Sequence, residues 1–213
     1  MGTFNSGIFG GFSGTIGPVV GANWRGLDVM RSRPKKSNRP ATAAQLEVRA
    51  RFAVISHFLA PLKNVLAAYF GQPVGQSSRF NQAFTYHRLE ALSGTYPHYQ
   101  IDYPKVIITK GELLGLDQPQ LQTLAGAALS VRWQDNSGIG QAQPTDEVLV
   151  VVYNPARDVF VHHHPAATRA DASFVLNLPA NWVGDTLYAW VSITNRSGQK
   201  CANSQYLGGV MLG

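Results

Sequence analysis

Cysteine and charge are both scarce in this sequence. Cys201 is the single cysteine among 213 residues, which excludes an intrachain disulfide as a source of stability. Its place in a predicted strand or turn indicates a small buried apolar side chain. Charged residues make up 14% of the chain, against roughly a quarter in typical soluble domains. The low charge indicates either a surface of uncharged polar side chains or one covered by other copies of the chain.

Long apolar runs are missing as well. No stretch approaches the roughly 20 apolar residues of a membrane span, so we expect no membrane-spanning segment. Glycine interrupts every apolar run in the first 24 residues and no basic residue precedes them, so no signal peptide is recognised. We therefore expect synthesis in the cytoplasm, which is compatible with a later place in an extracellular or virion-like assembly.

Catalytic and cofactor motifs are also absent. The sequence has no Gly-x-Ser-x-Gly elbow and no glycine-rich phosphate loop. His162, His163 and His164 are adjacent, but successive side chains of a strand point to opposite faces, so two at most share one face. A zinc site needs three or four ligands. We therefore expect no enzyme, no metal site and no cofactor.

The charges that are present are segregated along the chain. Residues 1–24 carry none, and residues 52–213 carry ten of each sign. Residues 25–51 hold eight basic and two acidic side chains, so the net charge of +6 is local to this segment. Such a segment is typical of contact with nucleic-acid phosphates or with an acidic surface on a neighbouring subunit.

Glycine dominates the first 26 residues, which contain eight of them. Residues 15–22 are predicted to form a strand in which Pro18 requires an edge position, and residues 27–33 a return strand. An isolated two-stranded ribbon is marginal in water, so it must pack on its own domain or add to a neighbouring chain; we favour the second. The predicted subunit contacts lie in this arm: Gly10, Gly14, Ile16, Gly17, Val19, Trp24, Arg25, Gly26, Arg31, Arg33, Lys35 and Lys36.

A helical pattern follows the basic linker. Thr42 is a suitable N-cap, and Gln45 three residues later completes a capping box. Apolar residues then recur at helical spacing as far as residue 58. Pro61 either kinks this helix or begins a second one, and a further helix is predicted from residue 79 to residue 92. The pattern predicts a helical hairpin over residues 42–98.

Short strands separated by turn signals occupy the remainder of the chain. Seven strand-like segments, the first at residues 106–109, indicate a sandwich over residues 99–213. The run at 148–152 is apolar throughout, as a central strand would be. The predicted fold class is α+β: an N-terminal β-ribbon with its basic linker (1–41) and a helical hairpin, followed by a seven-stranded immunoglobulin-like β-sandwich.

Two resemblances accompany these patterns. The C-terminal region resembles a fibronectin type III or immunoglobulin-like domain in strand count and in the early position of Val-Arg-Trp133. The whole chain is similar to an uncharacterised bacterial family of about this length with a glycine-rich N-terminus, a likeness that implies no activity. The matching stretches are 10–17, 24–26, 31–36 and 42–52, with Asn81 and 94–97.

A structural role is the function that these observations favour. Arg-x-Arg-Pro followed by Thr-x-x-Gln-x-x-x-Arg resembles small phage-borne or virion-like structural proteins. We expect a self-assembling subunit of a filament, tube or virion-like particle, a homo-oligomer through its arm. One alternative is an adhesion or carbohydrate-binding module with exposed Trp182 or Tyr206, while Trp133 and Trp190 lie in the core. A second is a nucleic-acid-associated accessory protein that uses residues 25–51.

Overall fold

The computed structural model of the chain describes residues 3–4, 10–24, 26–35, 39–73, 75 and 77–213. Two compact units make up the chain, residues 1–42 and residues 43–213. The α+β class with several β-sheets is therefore confirmed. Arg25 and Lys36, two of the predicted contacts, lie outside the described residues.

The first unit is an antiparallel sheet whose four strands are neighbours in chain order. The strands are β1 (Thr3–Phe4), β2 (Phe12–Ile16), β3 (Val19–Trp24) and β4 (Leu27–Ser32). The prediction of one strand over residues 15–22 is wrong, because Gly17 and Pro18 form the turn between β2 and β3. Gly17 has a φ of +56°, which glycine adopts at little cost, and proline suits turns. The predicted two-stranded ribbon is thus a four-stranded sheet.

Three helices begin the second unit. They are α1 (Ala43–Leu59), α2 (Lys63–Tyr69) and α3 (Arg79–Glu90). A 3-10 turn over Ala60–Leu62 contains Pro61 and separates α1 from α2, so the proline begins a new helical segment. The Ser78 hydroxyl accepts a hydrogen bond from the Asn81 N–H (3.2 Å) and caps α3. A hairpin that the sequence analysis did not predict follows, formed by β5 (Leu92–Thr95) and β6 (His98–Ile101).

Two antiparallel sheets form the rest of the second unit. Their strands are β7 (Asp117–Leu124), β8 (Ala128–Gln134), β9 (Glu147–Asn154), β10 (Val159–His163), β11 (Ser173–Asn177), β12 (Thr186–Thr194) and β13 (Gln205–Met211). One sheet has the order β10-β9-β12-β13 and the other β11-β8-β7. The predicted strand at 106–109 is wrong: this segment is a buried connection without a sheet partner.

The β10-β9-β12-β13 sheet of the second unit lies between two apolar cores. Val148, Val150 and Val152 of β9 face the first core, between the two sheets. Leu149 and Val151 face the second core, which α1, α2 and α3 complete from the other side. Both faces of β9 are therefore covered, which explains its uninterrupted apolar run. The predicted helical hairpin over 42–98 is accordingly part of one compact unit with the sandwich rather than a separate domain.

A buried ion pair joins the loops at one end of the sandwich. The Arg169 side chain is fully buried, and its Nη2 lies 3.1 Å from Oδ2 of the nearly buried Asp146. The same guanidinium also donates to three further acceptors: Leu114 O, Gly115 O and Asn136 Oδ1. Sequence analysis did not single out either residue, because their partners come from distant segments.

Candidate interaction surface

The N-terminal sheet buries almost nothing. Among the described residues of the first unit, Gly21 alone is buried. A sheet ordinarily covers at least one face with a second layer of structure, because isolated strands are marginally stable in water. The described residues of this sheet therefore form no hydrophobic core of their own.

One face of the sheet is mostly apolar. Directly opposed residues of β3 and β4 share a face, and three such pairs place Val20, Ala22 and Trp24 beside Arg31, Val29 and Leu27. Trp24 is 52% exposed and Leu27 is 50% exposed. We call the set Val20, Ala22, Trp24, Leu27 and Val29 the apolar face.

The other face carries polar contacts near the turn between β3 and β4. Asn23 Nδ2 donates to Asp28 Oδ1 (2.9 Å), and Gly26 N–H donates to Asn23 Oδ1 (3.1 Å). Gly11 lies beneath the Asp28 carboxylate, where an added Cβ would come within 2.1 Å of an oxygen. A side chain at position 11 would therefore displace the Asp28 carboxylate from this place.

The strand β4 forms one edge of the sheet, and all six of its side chains are exposed. Backbone groups of an antiparallel strand point alternately toward and away from a given neighbour. Arg33 N–H donates to Pro18 O (2.7 Å), so the odd-numbered residues of β4 bond to β3. The N–H and C=O groups of Asp28, Met30 and Ser32 point away from the sheet. Pro34 has no N–H, which ends this edge.

The predicted contact residues that the structure describes lie in this one sheet or directly beside its strands. Ile16 and Val19 are opposed at the β2–β3 turn, whereas Trp24 and Gly26 lie at the far end of β3. Gly10 precedes β2, Gly14 lies within it and Gly17 follows it. Arg31 lies in β4, Arg33 and Lys35 follow it, and all three are exposed. The position of β4 at the edge of the sheet is not evident from its sequence.

The second unit contains a cleft of about 800 Å³ between the α2–α3 connection and loops of the sandwich. Arg79 lines it, but its guanidinium already donates to Gly71 O (3.0 Å), Ala68 O (2.6 Å) and Gln72 Oε1 (3.2 Å). Lys200 Nζ donates to Gln141 Oε1 (2.9 Å). These cations serve the protein's own acceptors, so they hold the cleft walls in place.

Cys201 lines the same cleft and is buried. Its thiol donates to Tyr69 O (3.1 Å) and contacts Lys110 O (3.5 Å). Burial raises the pKa of the Cys201 thiol, which lowers the fraction of reactive thiolate at neutral pH. The thiol therefore joins the helical layer to the loops.

The histidine run lies at the end of β10. His162 and His163 are exposed, and His164 Nε2 lies 2.9 Å from Thr194 Oγ1. Within the part of the chain that the structure describes, no group of three or more His, Cys, Asp or Glu side chains could hold a metal ion.

The aromatic residues differ in part from prediction. The expectation of an exposed Trp182 is wrong, because a 3-10 turn over Ala180–Trp182 directs its ring into the first core, where it is 5% exposed. Tyr206 is partly buried and its ring centroid lies 5.6 Å from that of Trp190. Trp133 and Trp190 are buried, as predicted.

One helical stretch, Ala43–Tyr69, is long and apolar enough to cross a membrane when judged by length and composition alone. Core helices pass the same test. Leu59, Leu62 and Leu66 of this stretch are fully buried in the second core, and a 3-10 turn interrupts it at Pro61.

His87 gives the second unit a measurable response to acid. It is fully buried, its Nδ1 donates to Ala83 O (2.7 Å), and its Nε2 has no hydrogen-bond partner among the described residues. Burial lowers the pKa of His87 below its ordinary 6.5. As the pH falls below 6.5, His87 of the unfolded chain therefore binds a proton that His87 of the folded protein does not yet bind. The free energy of unfolding decreases until the pH reaches the lowered pKa of the folded state.

We expect the free energy of unfolding to decrease between pH 7 and pH 5.5, by up to ~1.4 kcal/mol per pH unit for one such group. Burial also lowers the pKa of His164, which adds in the same direction. Urea unfolding at several pH values checks this, with His87→Gln expected to show a shallower slope and the exposed His98→Gln as control. Equal slopes for His87→Gln and the parent protein would refute the assignment.

The packed sheets of the second unit define a β-sandwich of the fibronectin type III or immunoglobulin-like class, with a helical layer over one sheet. The resemblance of the whole chain to a family of unknown function is also confirmed. The family model of DUF6266, a family of unknown function, matches residues 11–208. The chain belongs to that family. No curated protein matches the chain.

Several solved β-sandwich structures are similar to part of the chain. One is from a computer-based redesign of a β-sandwich protein (TM-score 0.34, 15% identity, 48% of this chain and 92% of that one). Another comprises the FN1–FN3 domains of chicken CNTN1 (TM-score 0.34, 11% identity, 49% of this chain and 33% of that one). A third is the fn3 domain of human contactin 1 (TM-score 0.33, 10% identity, 49% and 83%).

Proposed function

We propose that this protein is a structural subunit that binds copies of itself through its N-terminal sheet, in a filament, tube or particle. The observation that carries the proposal is β4, an edge strand of six residues in which every side chain is exposed. Natural proteins usually protect such an edge, because it is a template for pairing with another strand. Such an edge, on a sheet whose described residues form no core, favours a partner that pairs with the strand and covers the sheet.

The apolar face supports the same function. Fully burying a leucine or valine side chain contributes ~1.5–3 kcal/mol, and Leu27 and Val29 are 50% and 41% exposed. Ordering a glycine-rich segment costs conformational entropy. Contact with a partner would offset that cost by covering the apolar face.

Val29→Lys in the full chain tests the proposal, because a charge on the apolar face opposes its burial. We expect the parent protein to form oligomers whose fraction rises with concentration, and Val29→Lys to weaken association at least about tenfold. Light scattering coupled to size-exclusion chromatography measures both.

Val175→Lys is the matched control, since Val175 is a half-exposed valine on a strand of the second unit. We expect this variant to associate as the parent protein does. A parent protein that stays monomeric at all concentrations, or equal association by the two variants, would overturn the proposal.

Nucleic-acid binding is a second candidate function, favoured by the exposed side chains of Arg31, Arg33 and Lys35. Backbone phosphates would pair with these cations, and their affinity would fall steeply with salt. Nuclease treatment before light scattering separates the two functions. Assembly through the sheet persists after treatment, whereas assembly bridged by nucleic acid is lost.

A further inference from the structure

We infer that the partner of β4 is the β4 strand of a second copy, paired antiparallel about a two-fold axis through Met30. This inference rests on the proposed function, and specifies which strand pairs and in what register. The two sheets would then join edge to edge as one sheet of eight strands.

The outward-pointing backbone groups of β4 favour this register. Among the described residues, the N–H and C=O groups of β4 without a partner are those of Asp28, Met30 and Ser32, every second residue. With the axis at Met30, residue 30 faces its own copy and residue 28 faces residue 32 of the other chain. All the free groups of the edge are then paired, in about six hydrogen bonds.

The side chains that lie opposite one another are also compatible with this register. In this register Ser32 of each copy lies opposite Asp28 of the other, so each carboxylate faces a neutral side chain. Asp28 Oδ1 keeps its hydrogen bond from Asn23 Nδ2 (2.9 Å). Arg31 faces Val29 of the other copy, and its aliphatic stem can pack there. No two like charges are directly opposed, which is the arrangement that strand pairs require.

Other symmetric registers are less favourable. An axis at Arg31 opposes two guanidinium groups, and an axis at Asp28 opposes two carboxylates. An axis at Ser32 brings Met30 opposite Pro34, which has no N–H to donate. An axis at Val29 leaves Ser32 opposite Gly26 in the turn, where the strand has ended. Met30 is therefore the axis that uses the whole edge.

The symmetry also explains how the apolar face would be used. A two-fold axis perpendicular to a sheet keeps each face on its own side. The apolar faces of the two copies would therefore become contiguous across the new strand pair. Leu27 and Val29 of both copies lie next to the junction, so the paired sheet presents one enlarged apolar surface. The strand pair itself does not bury this surface, and in the proposed assembly further copies of the chain would cover it.

Single cysteine variants of the full chain test the register. Opposed residues of a hydrogen-bonded antiparallel pair have Cα atoms about 5.5 Å apart, a separation that a disulfide spans. Met30 is 70% exposed, so Met30→Cys is compatible with the fold, which circular dichroism checks. We expect Met30→Cys to form a covalent dimer in oxidised glutathione, measured on non-reducing gels.

Neighbouring positions provide matched controls. Asp28→Cys alone and Ser32→Cys alone should give little dimer, whereas an equimolar mixture of the two should give dimer. The parent protein, whose one thiol is the buried Cys201, controls for cross-linking through that residue. Light scattering of every sample reports assembly separately.

Assembly without a Met30→Cys dimer, or with more dimer from Ser32→Cys alone, would overturn the inferred register while the proposed function stands. Monomers in every sample would overturn both.

Discussion

Arg169→Met is expected to lower the free energy of unfolding of the second unit by about 3–5 kcal/mol. The substitution keeps an unbranched apolar stem that reaches about as far as Nε, but it removes the guanidinium from a fully buried position. The Asp146 carboxylate would remain buried without its cation. Leu114 O, Gly115 O and Asn136 Oδ1 would lose their donor at the same time. Such a loss is a large fraction of the stability of an ordinary domain.

The same substitution at a more exposed ion pair is the control. Arg157 Nε lies 2.8 Å from Asp185 Oδ2, and the Arg157 side chain is 38% exposed. Arg157→Met should therefore cost much less than Arg169→Met, because solvent screens exposed pairs. Urea unfolding of both variants measures the difference. If Arg169→Met lost no more stability than Arg157→Met, the buried pair would not stabilise the fold as argued here.

Leu66→Ala is expected to destabilise the second unit by about 2–5 kcal/mol, the usual cost of removing a fully buried leucine side chain. Leu66 lies in α2 and packs in the second core with Leu149 of β9. Because β9 also lines the first core, we expect the helices and the sandwich to unfold together. Far-UV circular dichroism and tryptophan fluorescence, to which Trp133 and Trp182 of the first core contribute, should report one shared transition.

Leu89→Ala is the matched control, since Leu89 is a helical leucine that is 63% exposed. Surface substitutions of this kind usually change stability by less than about 0.5 kcal/mol. Two separate transitions, of which Leu66→Ala shifts only the helical one, would contradict cooperative unfolding of the second unit. That result would support the predicted domain boundary near residue 98, between the helices and the sandwich.

The sequence was most informative where local pattern determines structure. The spacing of apolar residues located α1, and the alternation of turn signals with apolar runs indicated a sandwich. The strand β7 was missed because its sequence, Asp-Gln-Pro-Gln-Leu-Gln-Thr-Leu, is polar and contains a proline. Trp182 was misplaced because burial of a turn residue depends on where the turn lies in the fold. Arg169 and Asp146 required tertiary structure, since they are 23 residues apart.

At the candidate surface, too, local features could be predicted from the sequence and tertiary features could not. Composition identified the glycine-rich arm and the basic segment, and both contribute to the first unit. The sequence could not show which strand lies at the edge, because strand order is decided by pairing between segments. Nor could it show that the odd-numbered residues of β4 bond inward, since this depends on contacts such as Arg33 N–H to Pro18 O.

The burial of β9 on both faces also affects how its alignment is specified. In most sheets a slip of one residue exposes apolar side chains to water, and this penalty keeps the strands aligned. In β9 the slipped arrangement would only exchange one apolar set for another. Alignment then depends on other features: the short turn between β9 and β10, and polar contacts at the strand's end, such as Asn154 Nδ2 to Asp185 Oδ2 (2.8 Å) and Tyr153 Oη to Asp158 Oδ1 (2.9 Å). In this sandwich, the turn and those few polar atoms oppose misalignment of the most apolar strand during folding.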